Sequence, residues 1–289
     1  MNIPSVTIKQ LLEAGVHLGH KTFRWNPKMK KYIFGSKNSI HIIDLTQTLE
    51  LINVSLVEIH KCISSGGKIL FVSTKKQAAE SIVKLATDTS QYYVSHRWLG
   101  GMLTNWKTIS NSIKRLKKLT ADLKKENTGF TKKENLKMGI QRDKLERSLG
   151  GIAEMKKVPE MIFIIDINLE SIAVQEAIKL NIPIVAVVDT NTDPTGIKFP
   201  IPGNDDARRA INLYSDLVRE TILDAQKNIV IKKDEEESEN KVMVEKTKAV
   251  DNTKKVETKT KDKKKVEKIE KKPKSIFSKI KSLAQKKIK

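Results

Sequence analysis

Met161-Ile162-Phe163-Ile164-Ile165 is followed by a helical stretch over 169–180 and then by Ile184-Val185-Ala186-Val187-Val188. Neither apolar run alternates with polar residues. A strand with one wet face would alternate, so both read as strands covered on both sides, as in a parallel sheet between helices. Ile69-Leu70-Phe71-Val72 is a third strand of this kind, and Tyr92-Tyr93-Val94 a shorter fourth. Working outward, Thr74 and Gln77 have capping-box spacing and predict a helix to about residue 88. Asn204 is placed to cap a last helix reaching about residue 227, and 189–203, with Pro194, Pro200 and Pro202, reads as a long irregular loop. Toward the N-terminus, Thr7 and Gln10 open a short helix closed by Gly15. Asp44 and Gln47 open a longer one ending at Gly66-Gly67. Tyr32–Phe34 and Ile40–Ile43 read as a hairpin around 35–38. Short apolar strands alternating with helices give an α/β doubly wound domain with helices on both faces.

The formal charge of +21 is unevenly spread. Residues 232–289 carry 21 Lys against 11 acids, and residues 107–157 carry 15 Lys or Arg against 6 acids. The remainder is nearly neutral, a pattern that suits a globular body with basic arms laid on a polyanion. Within 107–157, Ile109, Ile113, Leu116, Leu119 and Leu123 form one apolar stripe. Leu136, Ile140, Leu149, Ile152 and Met155 answer it after a turn at Asn127-Thr128-Gly129 and a Thr131–Glu134 capping box. Two helices of about twenty residues, each roughly 30 Å long, predict an antiparallel coiled-coil hairpin projecting from the body. The expected organisation is therefore a discontinuous body, 1–106 plus 158–228, an inserted basic hairpin, 107–157, and a tail, 229–289. The tail is too rich in Lys and Glu to fold alone and is expected to be disordered. Ile276, Phe277, Ile280, Leu283, Ala284 and Ile288 recur in it at helical spacing, as in a basic amphipathic helix or as incidental apolar residues of a solvated tail.

Arg97-Trp98-Leu99-Gly100-Gly101-Met102-Leu103-Thr104-Asn105-Trp106 opens the most basic part of the body. Arginine forks onto phosphate, indole faces stack on bases, and glycines admit close backbone approach. Both tryptophans have a competing reading as packing residues. A second basic loop holds Lys21, Arg24, Trp25, Lys28, Lys30 and Lys31. Lys75 and Lys76 follow Ser73-Thr74 at a strand end, where a helix N-terminus holds phosphate well. Lys107, Lys114 and Arg115 continue the basic surface into the insert.

Other chemistry finds less support. Cys62 is the one cysteine, which excludes an internal disulfide and fits a reducing cytosol. The N-terminus lacks the basic-then-apolar pattern of a secretory signal, and the apolar runs are far too short for a bilayer. Neither G-x-G-x-x-G nor G-x-x-x-x-G-K-[ST] occurs. His17 and His20 form half a metal site that Asp189, Asp193, Asp205 and Asp206 are placed to complete. The competing reading gives the histidines local hydrogen bonds and the aspartates caps, so no metal or other cofactor is expected. No acid/base or nucleophile set is suggested by spacing.

Over residues 1 to about 228 the chain resembles the bacterial small-subunit ribosomal protein uS-two family. The motifs that carry the resemblance are Gly15-Val16-His17-Leu18-Gly19-His20, Arg24-Trp25-Asn26-Pro27-Lys28-Met29 and Arg97 to Asn105. Pro159 to Asp166, Val188-Asp189-Thr190-Asn191 and Pro200-Ile201-Pro202-Gly203-Asn204-Asp205-Asp206 continue it. The resemblance implies a flavodoxin-like three-layer α/β/α fold with a coiled-coil hairpin and a non-enzymatic role in the small (30S) subunit. Its implied partners are 16S ribosomal RNA and neighbouring ribosomal proteins, including the large oligonucleotide-fold protein S-one, which it helps to dock. No membrane and no second copy of the chain is implied. Thr192 and Thr195 stand where relatives often have Cys and Asp, which weakens a metal site in that loop. Two other readings compete: a flavodoxin-like nucleotide-binding enzyme, and a membrane-surface adaptor using the C-terminal segment.

Overall fold

The computed structural model describes residues 4–124 and 131–228; the turn expected at 127–129 and the tail, 229–289, with its helical spacing, lie outside the described residues. In chain order the elements are α1 (Ile8–Ala14), β1 (Leu18–Lys21), β2 (Ile33–Lys37), β3 (Ile40–Ile43), α2 (Leu45–Ser64), β4 (Ile69–Val72), α3 (Lys76–Asp88) and β5 (Tyr92–Val94). They continue with α4 (Trp106–Leu123), α5 (Lys132–Leu149), β6 (Met161–Ile165), α6 (Ser171–Lys179), β7 (Ile184–Val188), β8 (Phe199–Pro202) and a helix, α7, over 208–228.

Five strands form one parallel sheet in the order β5-β4-β6-β7-β8. Counted along the chain this is 2-1-3-4-5, a doubly wound order whose switch point lies between β4 and β6. The unbroken apolar strands divide their side chains between two layers, as a period of two requires. Ile69, Phe71, Phe163, Ile165, Val185 and Val187 pack with α1, α2, α3 and α7. Leu70, Val72, Ile162, Ile164, Ala186 and Val188 face the other way, onto α4, α6 and the base of α5. The result is helices, sheet and helices in three layers.

Several boundaries differ from the sequence expectation. Leu18–Lys21 forms β1, which joins the hairpin to make a small antiparallel sheet, β1-β3-β2. The hairpin turns at Asn38-Ser39 rather than 35–38; both residues have positive φ, 51° and 62°, as a two-residue turn with the right twist needs. The cap of α3 is Lys75, not Thr74, and it makes no side-chain cap bond.

The supposed loop 189–203 contains the edge strand β8. Gly203 N donates to Val188 O, so by alternation the backbone groups of Pro200 and Pro202 point away from β7. Proline is tolerated on that outer side because no ladder bond is lost there. Pro202 O accepts instead from Thr48 Oγ1 of α2 at 2.8 Å.

The helix pair is continuous with the core at its base. Ile109, Ile113, Leu116, Leu149, Ile152 and Met155 are buried in the same layer as the sheet, so packing does not break at 106 or 157. The described residues cluster as one compact unit. Farther out the expected α5 stripe is corrected: Leu136 and Ile140 are 68% and 62% exposed. The half-buried Asn135, Met138, Arg142 and Leu145 lie closer to the α4 seam, where Arg115 Nη2 lies 3.4 Å from Gln141 Oε1.

Candidate nucleic-acid interface

The 73–76 and 97–106 segments leave the carboxyl ends of the parallel strands β4 and β5, the edge at which doubly wound sheets present ligand-binding groups, whereas the 21–31 loop follows β1 of the small antiparallel sheet. The segment after β5 is built around one acid. Glu176 of α6 lies on the buried stripe with Ala173 and Ala177 and sends its carboxylate into the 98–104 loop. Its Oε1 accepts from Trp98 Nε1 at 3.1 Å and Gly101 N at 2.7 Å. Its Oε2 accepts from Leu103 N at 2.9 Å, Thr104 N at 3.0 Å and Thr104 Oγ1 at 3.1 Å. Burial opposes the charge, but these donors outweigh it and hold the carboxyl below its usual range. Gly101, at φ 83°, supplies the left-handed step that turns successive N–H groups toward the acid.

This corrects the stacking role expected of Trp98. The indole is 7% exposed and its N–H is spent on Glu176, so neither ring face is open to a base. Trp106 is half-buried against the same core layer. Arg97, Gly100, Thr104, Asn105 and Lys107 are exposed, as are Lys114 and Arg115 on α4. Sequence reading missed Glu176, although a lone acid on an otherwise Ala/Val helix face was its signal.

The 21–31 loop winds through two 3-10 turns, pinned by buried Met29 and by Asn26 N donating to Thr190 O at 2.8 Å. Lys28, itself exposed, reaches across the surface to the 189–195 loop, where Nζ meets Asp193 at 2.7 Å and Thr195 Oγ1 at 3.0 Å. That ammonium holds the Asp193 carboxyl down to about 2. Lys21, Arg24, Trp25, Lys30 and Lys31 remain exposed; Trp25 packs at 5.6 Å, centroid to centroid, against His41.

At the switch point the phosphate role expected of Lys75 is overturned. Its ammonium lies 3.3 Å from Asp166, 3.0 Å from Asp205 and 2.5 Å from Asp206. Burial opposes that charge, yet the Asp206 and Asp205 carboxylates raise the Lys75 pKa above its usual value. Thr74 N donates to Glu170 Oε1 at 2.5 Å, so a carboxylate of the chain itself sits where a nucleotide phosphate would. Lys76 alone of this pair is exposed.

The metal candidates separate. His20, Asp189, Asp205 and Asp206 gather so that one ligand atom of each lies within 4.8 Å of the others. His17 does not join them, and Asp193 is spent on Lys28. The His20 pKa is raised, chiefly by its 2.7 Å contact with Asp189, and burial pushes the Asp205 carboxyl up to about 7.

The described residues thus define a doubly wound α/β scaffold with a basic rim and a switch point filled by its own side chains. The family described as Ribosomal protein S2 matches residues 11–225. A small ribosomal subunit protein uS2 from Parvibaculum lavamentivorans is 55% identical over 224 residues, 78% of this chain and 88% of that protein. Counterparts from Phenylobacterium zucineum and Bartonella henselae are 57% and 58% identical over the same share of this chain, covering 76% and 87% of their own lengths. The chain belongs to the ribosomal protein S2 family, which indicates a structural, non-enzymatic role.

Proposed function

We propose that the chain is a structural constituent of the small ribosomal subunit, holding 16S ribosomal RNA with the rim of loops at its strand ends. The observation that carries this reading is the loop locked by Glu176, which spends both donors of Thr104 and leaves Arg97, Asn105 and Lys107 exposed on a fixed frame. A pre-ordered edge of donors meets phosphate without an ordering cost at the moment of binding. Lys21, Arg24, Lys30, Lys31, Lys76, Lys114 and Arg115 add contacts that fix position rather than read bases. Trp25, Trp106 and the open backbone at Gly100 meet irregular RNA by shape, while Gly101 is held to Glu176. Faces away from this rim serve neighbouring ribosomal proteins, with S-one docking extended to this chain from the resemblance. The nucleotide-enzyme reading is disfavoured by Glu170 and the Lys75 cluster at the switch point.

Co-sedimentation with small subunits over a salt series tests this. The full chain and a form lacking 232–289 should both associate stoichiometrically and weaken steeply with salt. If neither sediments with the subunit, the proposal fails. A further expectation separates contact from folding: the double substitution Arg97→Ala, Lys107→Ala should reduce the log–log salt slope by about 1 to 2. Its thermal midpoint should stay at the wild-type value, because both side chains are exposed. An unchanged slope would remove these two residues from the interface.

A further inference from the structure

We propose that the side of α5 turned away from α4 docks an acidic amphipathic helix of a neighbouring small-subunit protein. This rests on the reading of the chain as a constituent of that subunit, and it names a surface that the RNA rim does not use. Leu136 and Ile140 are the two most exposed large aliphatic side chains among the described residues. They stand one turn apart on the same helix, so they form a ridge rather than two stray contacts. The seam with α4 does not need them, since Asn135, Met138, Arg142 and Leu145 supply it.

Gly139, between them in the chain, is an independent sign. Glycine is the poorest helix former apart from proline, and here it sits in the middle of an unbroken helix. Nothing within the chain requires it, because a Cβ built there meets no atom within 4 Å. Leu136, Gly139, Ile140 and Asp143 are spaced i, i+3, i+4 and i+7, the four positions that frame one hole for the knob of a facing helix. With only hydrogen at one corner, the hole is wide enough for a large apolar knob, and the partner backbone can come close. The same spacing is how an amphipathic helix is read by its groove.

Charge selects the occupant. Lys132, Lys133, Lys144 and Arg147 are exposed beside the ridge, and none has a carboxylate partner among the described residues. Asp143, the one acid of the four framing positions, is already taken by Arg142, whose Nη2 lies 2.5 Å away. A helix with Asp or Glu beside its apolar stripe answers both the ridge and the cations. RNA would answer the cations alone, since aliphatic side chains give its bases no stacking platform. A second copy of α5 would set the same four cations against one another.

A photoreactive benzophenone side chain placed at position 136 or 140 of the full chain, irradiated in purified small subunits, tests the face directly. The expected adduct, located by mass spectrometry, is to a protein segment with apolar residues at helical spacing and acids beside them. An adduct to ribosomal RNA, an adduct to a second copy, or no adduct in subunits that hold the chain would each overturn the proposal. Gly139→Gln gives a second readout, because folding and docking respond with opposite signs. The better helix former should hold or raise the Tm of the free chain. Filling the hole should weaken its competition with the wild-type chain for subunits about tenfold. Equal competition would overturn the docking face while leaving the subunit reading intact. Failure of the wild-type chain to sediment with subunits would remove that reading and this face with it, so the two failures stay distinct.

Discussion

Glu176→Ala is expected to lower global stability by about 3 to 5 kcal/mol. The substitution removes one acceptor group from five donors, and the Trp98 indole N–H and Leu103 N are buried where water cannot replace it. Each stranded donor costs about 1 to 3 kcal/mol, less whatever the loop recovers by rearranging. Glu176→Gln should fall between the two, because one carbonyl oxygen is kept while an amide N–H₂ is turned toward N–H groups. The acid dependence has a definite sign. The folded carboxyl titrates below the usual 4.5, so its stabilisation is complete above that value and is lost as pH falls through the depressed one. Denaturant midpoints at neutral pH and at pH 3 read both effects: the gap between wild type and alanine variant should narrow in acid. A neutral-pH difference under about 1 kcal/mol would mean the loop does not depend on the acid. Subunit association should weaken with Glu176→Ala even under conditions where the chain stays folded, because Arg97 and Lys107 lose their fixed frame.

The second large effect is steric. A Cβ at Gly151 would stand 2.1 Å from Tyr93 O and under 3 Å from the tyrosine ring. The first neighbour is backbone in β5 and cannot swing aside, so Gly151→Ala must lift the base of the helix pair from the sheet edge or bend β5. A loss of about 3 kcal/mol is expected. Gly139 in the middle of α5 supplies the contrast, with nothing within 4 Å of its built Cβ. Gly139→Ala should be neutral or stabilise by up to about 1 kcal/mol, through helix propensity alone. Thermal midpoints of the two variants decide the matter; similar values would show that the base of the pair is not held against β5.

The layers were legible because the strands are unbroken apolar runs, a pattern that only double coverage explains. The basic loops were legible from charge. What was not legible is which basic groups are already spent. Lys28, Lys75 and Lys76 look alike in sequence, yet the first two are committed to aspartates that only the folded sheet brings near. Trp98 and Trp25 present the same problem: the indole of one is enclosed by an acid 78 residues away in the chain, while the other stays half open. β8 was hidden for a different reason. Its prolines mark a loop by composition, and only pairing with β7 shows that they fall on the side needing no donors.

That edge has a consequence for the free protein. An exposed border of a sheet is ordinarily a template on which a second chain polymerises, N–H to C=O. Along the outer side of β8, Pro200 and Pro202 offer no N–H, and Thr48 has already claimed one of the carbonyls. Copies that accumulate ahead of their partners therefore meet a border that does not propagate, and strand-by-strand aggregation is blocked there by covalent structure rather than by charge.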